Sequence, residues 1–293
     1  MSYITLSYSS SNLLSLSGID SLNLHHTLMC GQAFRWKKRE DFYIGVVKGH
    51  VLKVRQEGNS IEVKGYPEEG LETLIFDYFD LNKDYSEIED KVSSFDEHLA
   101  MAVAFGRGLR LLRQDLWECL ISFIISARNN IPCIKRSIET ISMRYGDKYE
   151  FEDEFYYLFP SPAQLSQASL EGLLECGTAF RGKYIIETVK RVFESGIDLE
   201  ELRDMELIEA RKALMEFKGV GEKVADCVLL FALQKYEAFP IDVWINRVMR
   251  RLYFGGKEVS LRKMQEYAQE RFREYAGYAQ EYLYYWARSN QLS

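Results

Sequence analysis

A lysine and an aspartate nineteen residues apart, Lys223 and Asp242, have the setting for covalent chemistry in this chain of 293 residues. Lys223 follows the turn Lys218-Gly219-Val220-Gly221 and falls in the first turn of the helix that this turn must open. The helix macrodipole disfavours an ammonium there, so the position suits a free amine, which is a nucleophile. Asp242 lies in FPIDVWINRV, two residues after Pro240, where an N-cap would open the helix 243–253. A carboxylate so placed serves either as a cap or as an anion facing a developing positive charge. The amides of Gly219, Val220 and Gly221 stand at a helix N-terminus, which is a site for a phosphate. Alone, a Gly-x-Gly turn is equally a plain connection between helices with a solvated lysine. Lys223 and Asp242 together make the segment specific.

Several elements must position these groups. Residues 214–253 read as helix, glycine turn, helix, extended link and helix, with both glycines supplying the positive φ of a tight hairpin. Val224, Val228, Phe231 and Ala232 recur at core spacing, and Cys227 shares the face of Lys223 at i+4, as a small buried hydrophobe or as part of a site. Residues 1–65 alternate as strands: 42–47, 51–54 and 60–63 are separated by turn residues, and the helix 71–81 covers one face of the meander. From about residue 85 the pattern is helical. GLRLLRQD leads into an apolar helix, 116–127, and Pro132 starts the next, which runs through Arg144. Two helices are expected within 155–192, and a last pair from Ser260 to Arg288. The fold class is therefore α+β, with an antiparallel sheet domain at 1–84 and an all-helical core of two lobes at 85–293, its helical hairpin at 207–234.

Composition narrows the class. The chain is 47% hydrophobic and 28% charged, an ordinary globular balance. No stretch reaches the roughly 18 apolar residues of a membrane span. Met1, Ser2, Tyr3, Ile4 and Thr5 lack a basic leader region, so a cytoplasmic protein without a membrane partner is expected, and a monomer. Five cysteines, odd in number and widely spaced, predict reduced thiols, no metal site and no cofactor. The net charge of −7 argues against nucleic acid at first sight. Yet residues 119–138 and 243–257 carry basic residues and no acid, and the acids gather at 150–154 and 194–209. Each basic segment is a local footprint for DNA or a solvated helix flank.

FKGVGEKVADCV followed by FPIDVWINRV resembles the helix-hairpin-helix, Gly/Pro-rich-loop, Asp signature (HhH-GPD) of base-excision DNA glycosylases. KVADC, CGQAFRW, GLRLLRQD and SFIISARNNI resemble the 8-oxoguanine DNA glycosylase branch, over nearly the whole chain. The resemblance implies an N-terminal twisted sheet domain that helps to close a base pocket, and duplex DNA containing 8-oxoguanine as the partner. It makes Lys223 the nucleophile and Schiff-base former and Asp242 the essential carboxylate, hence a bifunctional glycosylase and AP lyase. It gives Gly31 a backbone carbonyl that accepts the N7 proton of 8-oxoguanine, a proton guanine lacks; a buried acceptor facing a lone pair costs about 1–3 kcal/mol. Cys227 becomes one wall of the base slot and Tyr284 the other, where relatives usually carry phenylalanine. Gln280 reads the Watson–Crick edge, and Phe231 and Pro240 complete the pocket.

Phe180 becomes the wedge that fills the gap left by a flipped nucleotide. Gly219, Val220 and Gly221, with Trp244, are carried over as phosphate contacts, although animal enzymes have histidine at the tryptophan position. Animal-type members read the orphaned cytosine with an asparagine and two arginines. Here Arg181 matches one arginine, but Arg128, beside Asn129, replaces the asparagine and Cys133 the other arginine. A thiol offers no bidentate fork, so a relaxed opposite-base preference follows. Each motif has a plainer reading as well: Gly31 as a bend, Phe180 as core, the Gly- and Ala-rich run 275–284 as a helix contact. The rivals are a glycosylase for alkylated purines, which would lack Lys223, a DNA-binding module without chemistry, and a helical scaffold.

Overall fold

The computed structural model describes residues 4–8 and 13–291. The expectation about a leader rests largely on Met1, Ser2 and Tyr3, which lie outside them.

The alternation of the N-terminal third becomes one antiparallel sheet of six strands: β1 (Thr5–Tyr8), β2 (Leu14–Ser17), β3 (Trp36–Lys38), β4 (Tyr43–Val47), β5 (His50–Glu57) and β6 (Ser60–Tyr66), in the order β1-β2-β6-β5-β4-β3. In β6, Ile61 and Val63 point inward while the alternate residues Glu62 and Lys64 are half-buried, and Val63 pairs with Val54. A slip of one residue would exchange those faces, so burial fixes the register. The sequence pattern did not reveal a short helix within this region, α1 (Leu24–Met29), whose N-cap Asn23 accepts from the amide of His26 at 3.1 Å. The helix α2 (Leu71–Tyr78) covers the inner face through Leu71, Leu74, Ile75 and Tyr78, and Trp36 Nε1 donates to the Tyr78 hydroxyl at 2.9 Å.

The helical core begins with α3 (Tyr85–Ser93), α4 (Glu97–Phe105), α5 (Leu116–Ser126) and α6 (Ile131–Tyr145). Nine of the eleven residues of α5 are buried, which suits an apolar helix at the centre of the main core. After α6 comes an unexpected hairpin, β7 (Lys148–Phe151) and β8 (Glu154–Tyr157). Phe151 packs on Ile44, Val46 and Val51 of the sheet's second face, and Glu152 pairs with Lys53 and Lys64 at 2.7 Å each. Residues 155–192, expected to hold two helices, thus hold β8 and three: α7 (Pro162–Leu165), α8 (Leu170–Glu175) and α9 (Arg181–Val189).

The remaining helices are α10 (Leu207–Met215), α11 (Glu222–Phe231), α12 (Val243–Val248), α13 (Leu261–Phe272) and α14 (Ala276–Ser289). A wider turn, Met249–Tyr253, extends α12 over the expected span. Segment 106–115 stitches sheet to core. Arg110 donates to the carbonyls of Asp80 (2.8 Å), Asp20 (2.8 Å) and Ser21 (3.0 Å). Gln32, buried, donates to Thr27 and Arg110 carbonyls and accepts from Leu112 N, while Gln114 donates to the Gln32 carbonyl at 2.7 Å. Every polar atom of that buried amide is satisfied, which anchors the loop next to Gly31.

Candidate active site

The turn between α10 and α11 places Lys223. Gly219 has φ +83°, and a Cβ there would press into the Tyr184 ring, so glycine is required twice over. Gly221 does not share that need: its φ of −99° is open to any residue, which corrects the reading of two positive-φ glycines. The expected trio of free amides is also reduced, because Val220 N donates to the Phe217 carbonyl at 3.1 Å. Lys223 Nζ donates to Ser126 Oγ at 3.2 Å and lies 5.1 Å from the Phe123 ring centroid. Ser126 in turn donates to the Phe123 carbonyl at 2.7 Å, so its lone pair is what faces the lysine. The amine is thereby held between a hydroxyl and an aromatic face.

Asp242 caps α12 as its spacing predicts, accepting from Ile245 N at 2.8 Å. Burial pushes its carboxyl above the usual range; the amides of Ile245 and Trp244 and the positive charge of Lys223 pull it back. Lys223 and Asp242 thus feel each other across one cavity.

That cavity, of about 900 Å³, collects Gly31, Lys223, Cys227, Phe231, Pro240, Asp242, Gln280 and Tyr284 on its lining. Its apolar floor is Phe123, stacked on Phe231 at 5.7 Å and met edge-on by Phe34 at 5.5 Å. Gly31 is a loop residue after α1, not a strand bend, with φ +113°; a Cβ would collide with the Arg288 guanidinium. Burial pushes the Cys227 thiol up to about 12, so it stays protonated and serves as a wall. Gln280 is buried, and its Oε1 has no hydrogen-bond partner. An orphaned acceptor in a cavity wall is costly unless a ligand supplies the donor.

Arg128, Asn129 and Trp244 border the same cavity, and Arg247 lies over the Trp244 ring at 5.4 Å. Arg128 adopts φ +51°, which an asparagine tolerates better than an arginine. Arg181 holds it there: Nε donates to the Ala127 carbonyl at 2.6 Å, Nη2 to that of Arg128 at 2.8 Å and Nη1 to that of Thr178 at 3.3 Å. Three of the five N–H donors of its guanidinium are thus committed to backbone carbonyls. Cys133 and Phe180 lie outside the cavity lining, both exposed; Phe180 is 48% exposed, and its ring meets Tyr184 edge-on at 5.9 Å beside the hairpin turn. Of the basic segments, Lys135 donates to the Trp36 carbonyl and Arg250 pairs with Glu258 at 3.1 Å.

Sequence reasoning missed Glu281 and Arg288. A helical glutamate normally faces solvent, yet Glu281 is 2% exposed and borders the cavity. Burial pushes its carboxyl up to about 7 against the pull of the Cys30 thiol and Arg288. A folded-state value raised above the ordinary 4.5 means that the folded protein holds this proton more tightly. Stability is therefore full at low pH, falls as pH rises through that interval and levels off above about 7. In Glu281→Gln this contribution vanishes. The loss of unfolding free energy between about pH 5 and about pH 8 should shrink by about 1–3 kcal/mol in denaturant titrations. An unaltered difference would mean that the buried carboxyl is fully compensated.

Comparison with known proteins finds matches over most of the chain. Residues 16–120 match the family model for the 8-oxoguanine DNA glycosylase N-terminal domain, and residues 121–274 that for HhH-GPD superfamily base excision DNA repair proteins. A probable N-glycosylase/DNA lyase of Methanothermobacter thermautotrophicus is 36% identical, over 82% of this chain and 83% of its own. The crystal structure of Clostridium acetobutylicum 8-oxoguanine glycosylase/lyase, in complex with double-stranded DNA containing cytosine opposite 8-oxoG, superposes over 100% of both chains with a TM-score of 0.95 at 38% identity. The 3-methyladenine DNA-glycosylase of Archaeoglobus fulgidus superposes over 94% of this chain and 98% of its own with a TM-score of 0.78 at 26% identity. The architecture is thus shared across lesion classes, and the site must decide between them.

Proposed function

Because the chain belongs to the 8-oxoguanine DNA glycosylase branch of the HhH-GPD superfamily, and is an N-glycosylase/DNA lyase, we propose that it flips 8-oxoguanine out of duplex DNA into the cavity and excises it through Lys223. The observation that carries this reading is the meeting of Lys223 with Gly31, Cys227, Gln280 and Tyr284 around one cavity. The Lys223 amine attacks sugar C1′ as the bond from C1′ to the base nitrogen breaks, and its electron pair leaves with the base, which takes a proton. The Asp242 carboxylate stabilises the positive sugar. Opening of the sugar ring gives a Schiff base with Lys223; this acidifies C2′, loss of whose proton expels the 3′ phosphate. Water then releases the lysine. Tyr284 and Cys227 flank the base, and the orphaned Gln280 Oε1 accepts from its Watson–Crick edge. The rival assignment to alkylated purines leaves Lys223 without a role.

Relaxed opposite-base preference is part of the proposal. It is supported by the exposed Cys133 thiol, by an arginine at position 128, and by the commitment of the Arg181 guanidinium to backbone carbonyls. Borohydride trapping on duplexes with 8-oxoguanine opposite each of the four bases tests it. Covalent bands should agree within about tenfold, and Arg128→Asn/Cys133→Arg should regain a preference for cytosine of roughly tenfold, one good base contact. A band opposite cytosine alone in the unsubstituted protein would refute relaxed reading. Duplex binding with no lesion-dependent band would overturn 8-oxoguanine as the substrate.

A further inference from the structure

Glu281, Tyr284 and Arg288 of α14 fall at i, i+3 and i+7 and share one helix face. That face meets the loop after α1 residue by residue. Arg288 Nη2 donates to the Met29 carbonyl at 3.0 Å, satisfying an acceptor at the C-terminal end of α1 that has no later turn to bond. Cys30, which is fully buried, donates its thiol to the Thr27 carbonyl at 3.4 Å, and the Glu281 carboxyl lies close enough for that thiol to act on its charge. Gly31 lies so close to Arg288 that a Cβ would collide with Nη1, and the Tyr284 hydroxyl is 3.3 Å from the same point. Arg288 Nη1 also donates to that hydroxyl at 3.4 Å, and its guanidinium lies 5.6 Å from the Tyr284 ring. One guanidinium therefore joins the loop of the sheet region to the helix that carries Gln280 and Tyr284.

We propose that Arg288 is a positioning residue for base recognition, fixing the Gly31 loop against α14 so that the Gly31 carbonyl and the Gln280–Tyr284 wall stand at one spacing. Both jaws of the base slot are then set by one residue of the cavity lining, whose charge also reaches Asp242. A loop carbonyl displaced by even a fraction of an ångström loses the N7–H bond that separates 8-oxoguanine from guanine, while Lys223 and Asp242, on α11 and at the start of α12, stay in place.

This rests on the excision of 8-oxoguanine proposed above, and the test separates the two. Arg288→Met and Arg288→Lys are assayed on two duplexes, one with 8-oxoguanine and one with a preformed abasic site, whose cleavage needs Lys223 but no base. In Arg288→Met, single-turnover excision should fall about tenfold or more, with abasic cleavage within about twofold. Arg288→Lys, which keeps one donor for the Met29 carbonyl, should recover part of the loss. Unchanged excision in Arg288→Met, or an equal fall in both reactions, would overturn the proposal, the second by making Arg288 merely structural. An unsubstituted protein that cleaves abasic sites but leaves 8-oxoguanine in place would overturn the substrate assignment instead, and this inference with it.

Discussion

Lys223→Gln is expected to lower excision of 8-oxoguanine by about 10⁴-fold or more while leaving duplex affinity within several-fold. Glutamine keeps an amide donor for Ser126 Oγ and enough stem to pack over Phe123, so the cavity wall survives. It loses the electron pair that attacks C1′ and with it the Schiff base, so cleavage at abasic sites should vanish as well. Single-turnover kinetics on both substrates measure this. Excision retained within about tenfold would assign the attack to water and make Lys223 a phosphate or packing residue.

Asp242→Asn should lower excision by about 10²–10³-fold with the melting temperature nearly unchanged. The two roles of this residue separate cleanly in that substitution. Asparagine caps a helix as well as aspartate, so the bond to Ile245 N persists, while the negative charge facing the sugar is lost. Asp242→Ala removes both and should cost about a further 1 kcal/mol of stability. Equal activity in the unsubstituted protein and Asp242→Asn would reduce Asp242 to a cap.

What was legible in the sequence is what is decided locally. The positive φ of Gly219, the cap at Asp242 and the alternation of β6 depend on neighbours within a few residues, and each is found as its spacing predicts. Gly221 shows the limit: glycine at a turn does not by itself require a left-handed conformation. The hairpin β7–β8 stayed hidden because its stability comes from a distant sheet, through Phe151 and Glu152, and its own residues are mostly charged or half-exposed. Glu281 and Arg288 were hidden for the same reason. Their surroundings come from the far end of the chain: Arg288 bonds the last residue of α1, Met29, 259 residues earlier. Resemblance marked CGQAFRW and GLRLLRQD, yet only the fold gives Gln32 and Arg110 their task, which is to bind those two segments together beside the cavity. Arg181 was matched by type, and its bonds to the Ala127 and Arg128 carbonyls add a structural task that pattern alone does not carry.

The most direct test of the central claim is the identity of the trapped residue. The unsubstituted protein is reduced with borohydride during turnover of an 8-oxoguanine duplex, digested, and its nucleotide adduct located by mass spectrometry. The adduct should lie on the peptide containing Lys223, at its side-chain nitrogen, and should depend on the lesion. An adduct on another amine, such as Lys218 or the α-amino group, or lesion-dependent excision with no adduct, would contradict attack by Lys223.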